Sequence, residues 1–245
     1  IAAVANDVVY FGSLDNNVYA LNAKAGSLKW NYTTDNQVYS SPNVVDGVVY
    51  VGSNDHYIYA LNAEDGRKIW SFQTSNYVWS SPAVVNGVVY VTSWDYVYAL
   101  DVSTGNRIWS FKPKDSMYSS PAVVDGVVYF GSNDHNLYAL NADNGAKIWN
   151  FTTNGYVTSS PAVEDGIVYF GSDDHNVYAL NAETGQKVWS YKTGDAIDSY
   201  AAVASGVVYI GSKDDYVYAL DAKTGEKIWT YKTGADVESF TSVAN

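Results

Sequence analysis

The chain has 245 residues, a formal charge of −12, no cysteine, 47% apolar residues and 16% aromatics. This composition suits a packed protein rather than a disordered one, and it excludes disulfides, cysteine metal sites and a cysteine nucleophile. Only 14 Lys and Arg are present, scattered along the chain, which argues against nucleic acid or an anionic membrane as partner, and no apolar run approaches the roughly 20 residues of a membrane helix.

The sequence starts at Ile1 in mid-pattern, with no charged leader. A signal or anchor is therefore expected to have been removed or to lie outside this sequence. The dominant signal is an internal repeat. A strand-like run ends at Tyr10 and recurs at Tyr50, Tyr90, Tyr129, Tyr169 and Tyr209, every 39 or 40 residues. A second column keeps the same step: Trp30, Trp70, Trp109, Trp149, Trp189 and Trp229. The repeats run approximately 1–39, 40–79, 80–118, 119–158, 159–198 and 199–238, within one domain expected to span 1–245.

Each repeat reads as four short strands. In the fourth, SSPAVV (119–124) is followed by the turn Asp125-Gly126 and by VVYFGS (127–132). Asp-Gly between two apolar runs is a strong hairpin signal. A polar turn, NDHN, leads to LYALNA (137–142). A second turn, DNG, leads to KIWNFTT (147–153). No repeat carries a sustained helical period.

Four short strands every 40 residues fit a sandwich or a propeller, and a strict period favours the propeller, because every blade then meets the same neighbours. The fourth strand alternates, with Trp149 and Phe151 on one face and Asn150 and Thr152 on the other. One face should press on the next blade; the other suits an exposed edge. The expected fold is all-β, a propeller of four-stranded antiparallel blades. Six blades are expected, or seven or eight if the chain is cut from a longer ring. Seven runs could serve as first strand, and 239–245 is either a closing or a surplus one.

The stretch ALNADNGAKIW (139–149) recurs as ALNAKAGSLKW (20–30), ALNAEDGRKIW (60–70), ALDVSTGNRIW (99–109), ALNAETGQKVW (179–189) and ALDAKTGEKIW (219–229). It resembles the tryptophan-docking motif of the PQQ-like (pyrroloquinoline quinone) repeat propellers, roughly A-x-D-x-x-T-G-x-x-x-W. The resemblance covers the whole chain. It implies that Trp30, Trp70, Trp109, Trp149, Trp189 and Trp229 dock on neighbouring blades, Trp149 for instance near Ala179 and Gly185. It also implies one of two functional branches: quinoprotein dehydrogenases holding the quinone and calcium, or non-catalytic propellers such as the lipoprotein of outer-membrane barrel assembly and microbial surface proteins. Fold does not choose between them.

The residues favour the second branch. The repeats carry no long insertions to build a quinone site, and the acids recur in every repeat rather than being unique to one. No cofactor and no catalytic residue is expected. His56, His135 and His175 fall in one column, the turn between the second and third strands. A metal site is conceivable, but Asn16 and Asp215 hold the same position, which favours a polar turn. Sheets about 10 Å apart also keep such residues from sharing a zinc that needs ligands at about 2 Å. Asp15, Asp55, Asp95, Asp134, Asp174 and Asp214 form a second column. Calcium could be imagined there; capping of tight turns is the preferred account. Asn31-Tyr32-Thr33 and Asn150-Phe151-Thr152 are sequons, weak evidence for an extracellular setting.

Function should lie where the repeats differ. The position just before the first strand reads Tyr39, Trp79, Tyr118, Thr158, Asp198, Glu238. These six are the candidate ligand-binding residues at one rim, aromatic on one side and anionic on the other, a pairing that suits a sugar or a cation; drift at a loop end is the bland alternative. Trp94, in a turn one residue short, is a second oddity and a candidate anchor or gap filler. The expectation is an extracytoplasmic (secreted, periplasmic or cell-surface), non-enzymatic scaffold, a monomer or part of a larger polypeptide. Its partner would be a protein, small ligand or glycan at the propeller face, with no nucleic acid and no direct membrane insertion. A quinone-dependent oxidoreductase and a carbohydrate-binding surface domain are the alternatives.

Overall fold

The structure is a computed structural model, and it describes residues 2–238. The described residues form six four-stranded antiparallel sheets and no helix. The first blade comprises β1 (Ala3–Ala5), β2 (Val8–Gly12), β3 (Asn17–Asn22) and β4 (Leu28–Thr33), paired in sequence order. The other five repeat this order over 43–73, 83–111, 122–152, 162–192 and 202–232. The run 239–245 lies outside the described residues. The first blade takes its first strand from the N-terminal side, since Val4 pairs with Val9.

Turn chemistry fixes the register. Between the first and second strands two consecutive residues have positive φ, as at Asp125 (50°) and Gly126 (76°). This is the turn whose twist matches antiparallel strands, and Gly, Asn and Asp reach it most cheaply. Between the third and fourth strands the ladder skips one residue: Ala20 pairs with Trp30, but Leu21 pairs with Leu28. The same bulge occurs in every blade. It sets the indole two residues on, at the end of the docking motif.

The chain divides into two compact units, Ile1–Lys112 and Pro113–Asn245, and each carries the same joint between successive blades. In the first unit the Trp30 indole donates from Nε1 to the Ala63 carbonyl (3.0 Å), and the Tyr10 hydroxyl donates to the same oxygen (3.1 Å). Trp70 and Tyr50 share the Val102 carbonyl in the same way. In the second unit Trp149 and Tyr129 share Ala182, and Trp189 and Tyr169 share Ala222. The indole lies against a glycine with positive φ. A Cβ on Gly66 would stand 2.7 Å from the Trp30 ring, so a side chain there would displace it. Around this contact Val8, Tyr10, Val18, Ala20, Trp30 and Val38 pack against Val49, Val51, Tyr59 and Leu61 of the next blade. Burying an indole and pairing its N–H makes each joint worth several kcal/mol, judged by the roughly 3–5 kcal/mol lost when such a ring is truncated.

Trp30, Trp70, Trp109 and Trp189 are 7–8% exposed, and Trp149 is half-buried. Trp229 departs from the expected docking. It is 43% exposed, and no following blade stands among the described residues.

Candidate functional site

The loop before each first strand lies against the turn between the second and third strands of the same blade. One backbone bond makes the tie in each of five blades: Asn54 to Gln37, Trp94 to Tyr77, Asn133 to Ser116, Asp173 to Tyr156 and Lys213 to Ala196, all with the N–H donating at 2.9 Å. The candidate column therefore neighbours a second variable column: Leu14, Asn54, Trp94, Asn133, Asp173, Lys213.

In the first unit these positions build an aromatic cluster. Tyr77 stacks on Trp79, with ring centroids 5.9 Å apart and planes at 9°. Trp94 meets Trp79 edge-on at 5.2 Å, and Tyr39 approaches it at 6.5 Å. His56 meets Tyr77 edge-on at 5.0 Å. Tyr39 is 51% and Tyr77 41% exposed. Trp94 is brought in by the missing residue. In the other turns a residue with φ of 69–74° (Asn16, His56, His135, His175, Asp215) completes the bend; the third repeat lacks it, so Ser93 bonds back to Tyr96 over a tighter loop. Tyr77 was not singled out from the sequence, though it is two residues before Trp79 and shares its side of the chain, with Val78 fully buried between them.

In the second unit the column is aromatic only at Tyr118 and otherwise polar. Tyr118 is 37% exposed, and burial pushes its phenol above the usual tyrosine range. The Thr158 hydroxyl donates to Asp198 (3.0 Å). Lys213 bridges Asp198 (2.5 Å) and Glu238 (3.6 Å). Burial, then the hydrogen bond and charge of Asp198, push the Asp173 carboxyl up to about 7. Burial also opposes ionisation of Asp198, but hydrogen bonds from Asp173, Lys213 and Thr158 outweigh it and hold that carboxyl low. The two acids thus divide one proton, carried on Asp173. The bond to Asp198 holds Lys213 above the ordinary lysine range. One buried oxygen of Asp173, Oδ1, has no hydrogen-bond partner among the described residues. Asp173 and Lys213 were not singled out from the sequence.

The structure places the other candidates in local roles. The histidines stand at the positive-φ bend of their turns, a position that favours small polar residues; His135 packs on Tyr156 and His175 faces Asp195 at 3.7 Å. No group of three or more His, Cys, Asp or Glu suited to a metal occurs among the described residues. The aspartate column is a turn cap and an interblade tie. Asp55 accepts from the Tyr57 N–H, the Tyr59 hydroxyl and the Asp35 N–H. Asp174 does the same with Asn176, Tyr178 and Asn154. These carboxylates are occupied, and their donors match neither calcium nor a quinone. A carboxylate-bearing quinone would also need cations, and Lys213 is already held between two acids. The residues of this cluster do not fit that cofactor. Asn31 and Asn150 are exposed, with side-chain amides bonded to Asn17 and Asn136. At the other end of the strands, a cleft of about 570 Å³ between the fourth and fifth blades is lined by Asp125, Glu164, Asp165 and Glu183 among others.

Among the described residues no helix is long and apolar enough to cross a membrane. No curated protein matches the sequence. Among solved structures, BamB from Moraxella catarrhalis superposes with a TM-score of 0.83 at 19% identity, covering 96% of this chain and 76% of that one. The computationally designed Ika8 protein superposes at 0.68 and 16% identity, covering 100% and 90%. At such identities the likeness speaks for the β-propeller fold alone. The sequence itself matches the family model described as outer membrane protein assembly factor BamB, over residues 1–94 and again over 93–244. With its tryptophan-docked four-stranded blades, the chain belongs to that family of PQQ-like propellers.

Proposed function

We propose that the protein is a non-catalytic, extracytoplasmic scaffold that holds a polypeptide partner on the aromatic cluster of its first unit. The observation that carries the reading is the contiguous set Tyr39, Tyr77, Trp79 and Trp94, partly open to solvent, with tryptophans at two positions that hold none in the other repeats. Aromatic anchors on a rigid frame are what binding hot spots are made of. The family name, and that of the Moraxella protein, speak for assembly rather than catalysis and for a place outside the cytoplasm. The use of the repeated acids as structural ties supports the non-enzymatic reading. The sequons Asn31 and Asn150, exposed on edge strands, agree with an extracytoplasmic setting.

The test is selection of a phage-displayed random peptide library on the protein, with counter-selection on Trp79→Ala. Peptides that bind the parent and lose at least tenfold in affinity on the variant support the reading, provided both proteins melt within a few degrees of each other. Peptides that bind both equally overturn it. Binding on a glycan array in place of peptides moves the reading to the carbohydrate-binding alternative, since aromatic faces also suit sugar rings.

A further inference from the structure

One buried acceptor in the first unit stands beside the aromatic cluster without a donor. Asn54 lies in the turn between the second and third strands of the second blade. Its backbone is satisfied: the N–H donates to the Gln37 carbonyl (2.9 Å), and the carbonyl accepts from the Asn36 side-chain amide (3.4 Å). Its side chain is only 8% exposed as part of the residue, yet Oδ1 has no hydrogen-bond partner among the described residues. A buried amide oxygen left alone is costly, and such an atom in a native fold asks for an explanation.

The repeat shows what flanks it. In the sixth blade the counterpart Lys213 reaches both Asp198, just before its own first strand, and Glu238, one repeat on. In the third blade the counterpart Trp94 packs on Trp79 of its own blade, and in the fifth Asp173 pairs with Asp198 of the next. The position thus lies between two successive members of the variable column. For Asn54 those two are Tyr39 and Trp79, whose ring centroids are 6.5 Å apart. His56, two residues on in the same turn, touches Tyr77 beside them. Oδ1 of Asn133 and of Asp173 also lacks a partner. Those residues are less buried, and their flanking pairs, Tyr118 with Thr158 and Thr158 with Asp198, supply at most one ring. Among the described residues, only at Asn54 do a buried, unmatched acceptor and two flanking rings coincide.

Two rings and one acceptor ask for a flat group with donors on its edge. An arginine guanidinium is such a group: planar, weakly hydrated, attracted to aromatic faces and armed with five N–H donors in a fixed fork. A lysine ammonium is compact and strongly hydrated, so it gains less from the rings. An aliphatic side chain would leave Oδ1 unmatched. A neutral amide has the donors but not the charge, and a chain of formal charge −12 attracts cations. We propose that the polypeptide partner enters the cluster by an arginine side chain, its guanidinium lying against Tyr39 and Trp79 and donating to Asn54 Oδ1. This rests on the reading of the cluster as a peptide-binding surface and adds the side chain that is recognised.

Equilibrium binding of synthetic pentapeptide mixtures tests the proposal, with Arg, Lys, citrulline or Leu at the centre and random residues around it. The Arg mixture should bind the parent about tenfold more tightly than the Lys or Leu mixtures, with citrulline between them. Asn54→Leu should weaken the Arg mixture about fivefold and leave the Leu mixture unchanged. Asn54→Asp should tighten the Arg mixture, and the gain should fade as salt is added. Leu14 and Asp173 already hold this position in other blades, so the turn accepts both substitutions, and melting temperatures check that it does. Equal binding of the Arg and Lys mixtures, an Arg preference that survives Asn54→Leu, or binding by none of the mixtures overturns the proposal. Mixtures that lose binding on Trp79→Ala without preferring Arg overturn it and leave the peptide-binding reading standing. Mixtures that bind Trp79→Ala as well as the parent overturn that reading too.

Discussion

The aromatic cluster of the first unit and the carboxylate cluster of the second stand on the same backbone. The same N–H to carbonyl tie joins loop to turn at Trp94 and Tyr77 as at Lys213 and Ala196. What differs is the side chains at two adjoining positions per blade. In the first unit they stack rings and leave a largely apolar surface. In the second they trap a shared proton and a lysine between carboxylates, a surface whose charge changes near neutrality. The scaffold is thus indifferent to what its loops carry, and a comparison of the two clusters separates the cost of the frame from the cost of its decoration.

Substitutions can break or sharpen that comparison. The largest effect should come from Trp189→Ala, which removes a docked indole and leaves the Ala222 carbonyl with one donor instead of two. A loss of about 3–5 kcal/mol in urea unfolding is expected; a loss below about 1 kcal/mol would mean that the joints do not carry the frame. Next is Lys213→Ala. It leaves Asp198 and Glu238 without their cation, Asp198 in a site only 26% exposed. We expect a loss of about 2 kcal/mol at pH 8, and a smaller one at a pH well below the ordinary aspartate range, since the fold holds the Asp198 carboxyl low and its ion pair is lost only as pH falls through that lowered value. A loss equal at both pH values would show that the lysine acts through packing alone.

Asp173→Asn should act in the opposite sense. Its carboxyl sits at about 7 in the fold, above the roughly 3.9 of an unfolded aspartate. Between those values the folded chain holds the extra proton, so stability falls as pH rises through the window. The neutral amide removes that slope. With solvent screening at this half-exposed site, a gain of about 1 kcal/mol at pH 8 and none at pH 4 is expected. Asn54 and Asn133 hold the same position in other repeats, so the backbone accepts the change. Thermal melts across pH check it, and a gain at pH 4 would defeat the explanation. The smallest effect on stability should be that of Trp79→Ala, about 1 kcal/mol, because its ring is only partly buried and stacks on the exposed Tyr77. Its consequence is for binding, and a melting temperature that collapses would make Trp79 part of the frame.

Much of the frame was legible in the sequence because it depends on local chemistry repeated in step. The positive-φ turn at Asp125-Gly126, the Tyr and Trp columns and the aspartate caps each recur with their reason attached. The clusters were legible only in half. The column holding Trp79 and Asp198 stood out as variable, but its neighbours in space, Tyr77, Asp173 and Lys213, lie on other loops or at other positions, and the tie that joins those loops is a backbone bond with no side-chain signature. Asp173 meets Asp198 from the preceding blade, 25 residues away in sequence. Trp229 could not be told from the other five indoles at all. Its motif, ALDAKTGEKIW, is as good as any; burial depends on what lies beyond it, not on the motif.

The shared carbonyl has a consequence for how such a chain changes over generations. Every blade brings one oxygen for its predecessor and two donors for its successor, so the account balances for each 40-residue segment separately. A tandem duplication or an unequal crossover that inserts or deletes a whole segment creates no orphan inside the array and demands no compensating mutation. Length can therefore drift in whole steps while the loops diverge blade by blade, and one ancestral module supplies both aromatic and charged surfaces.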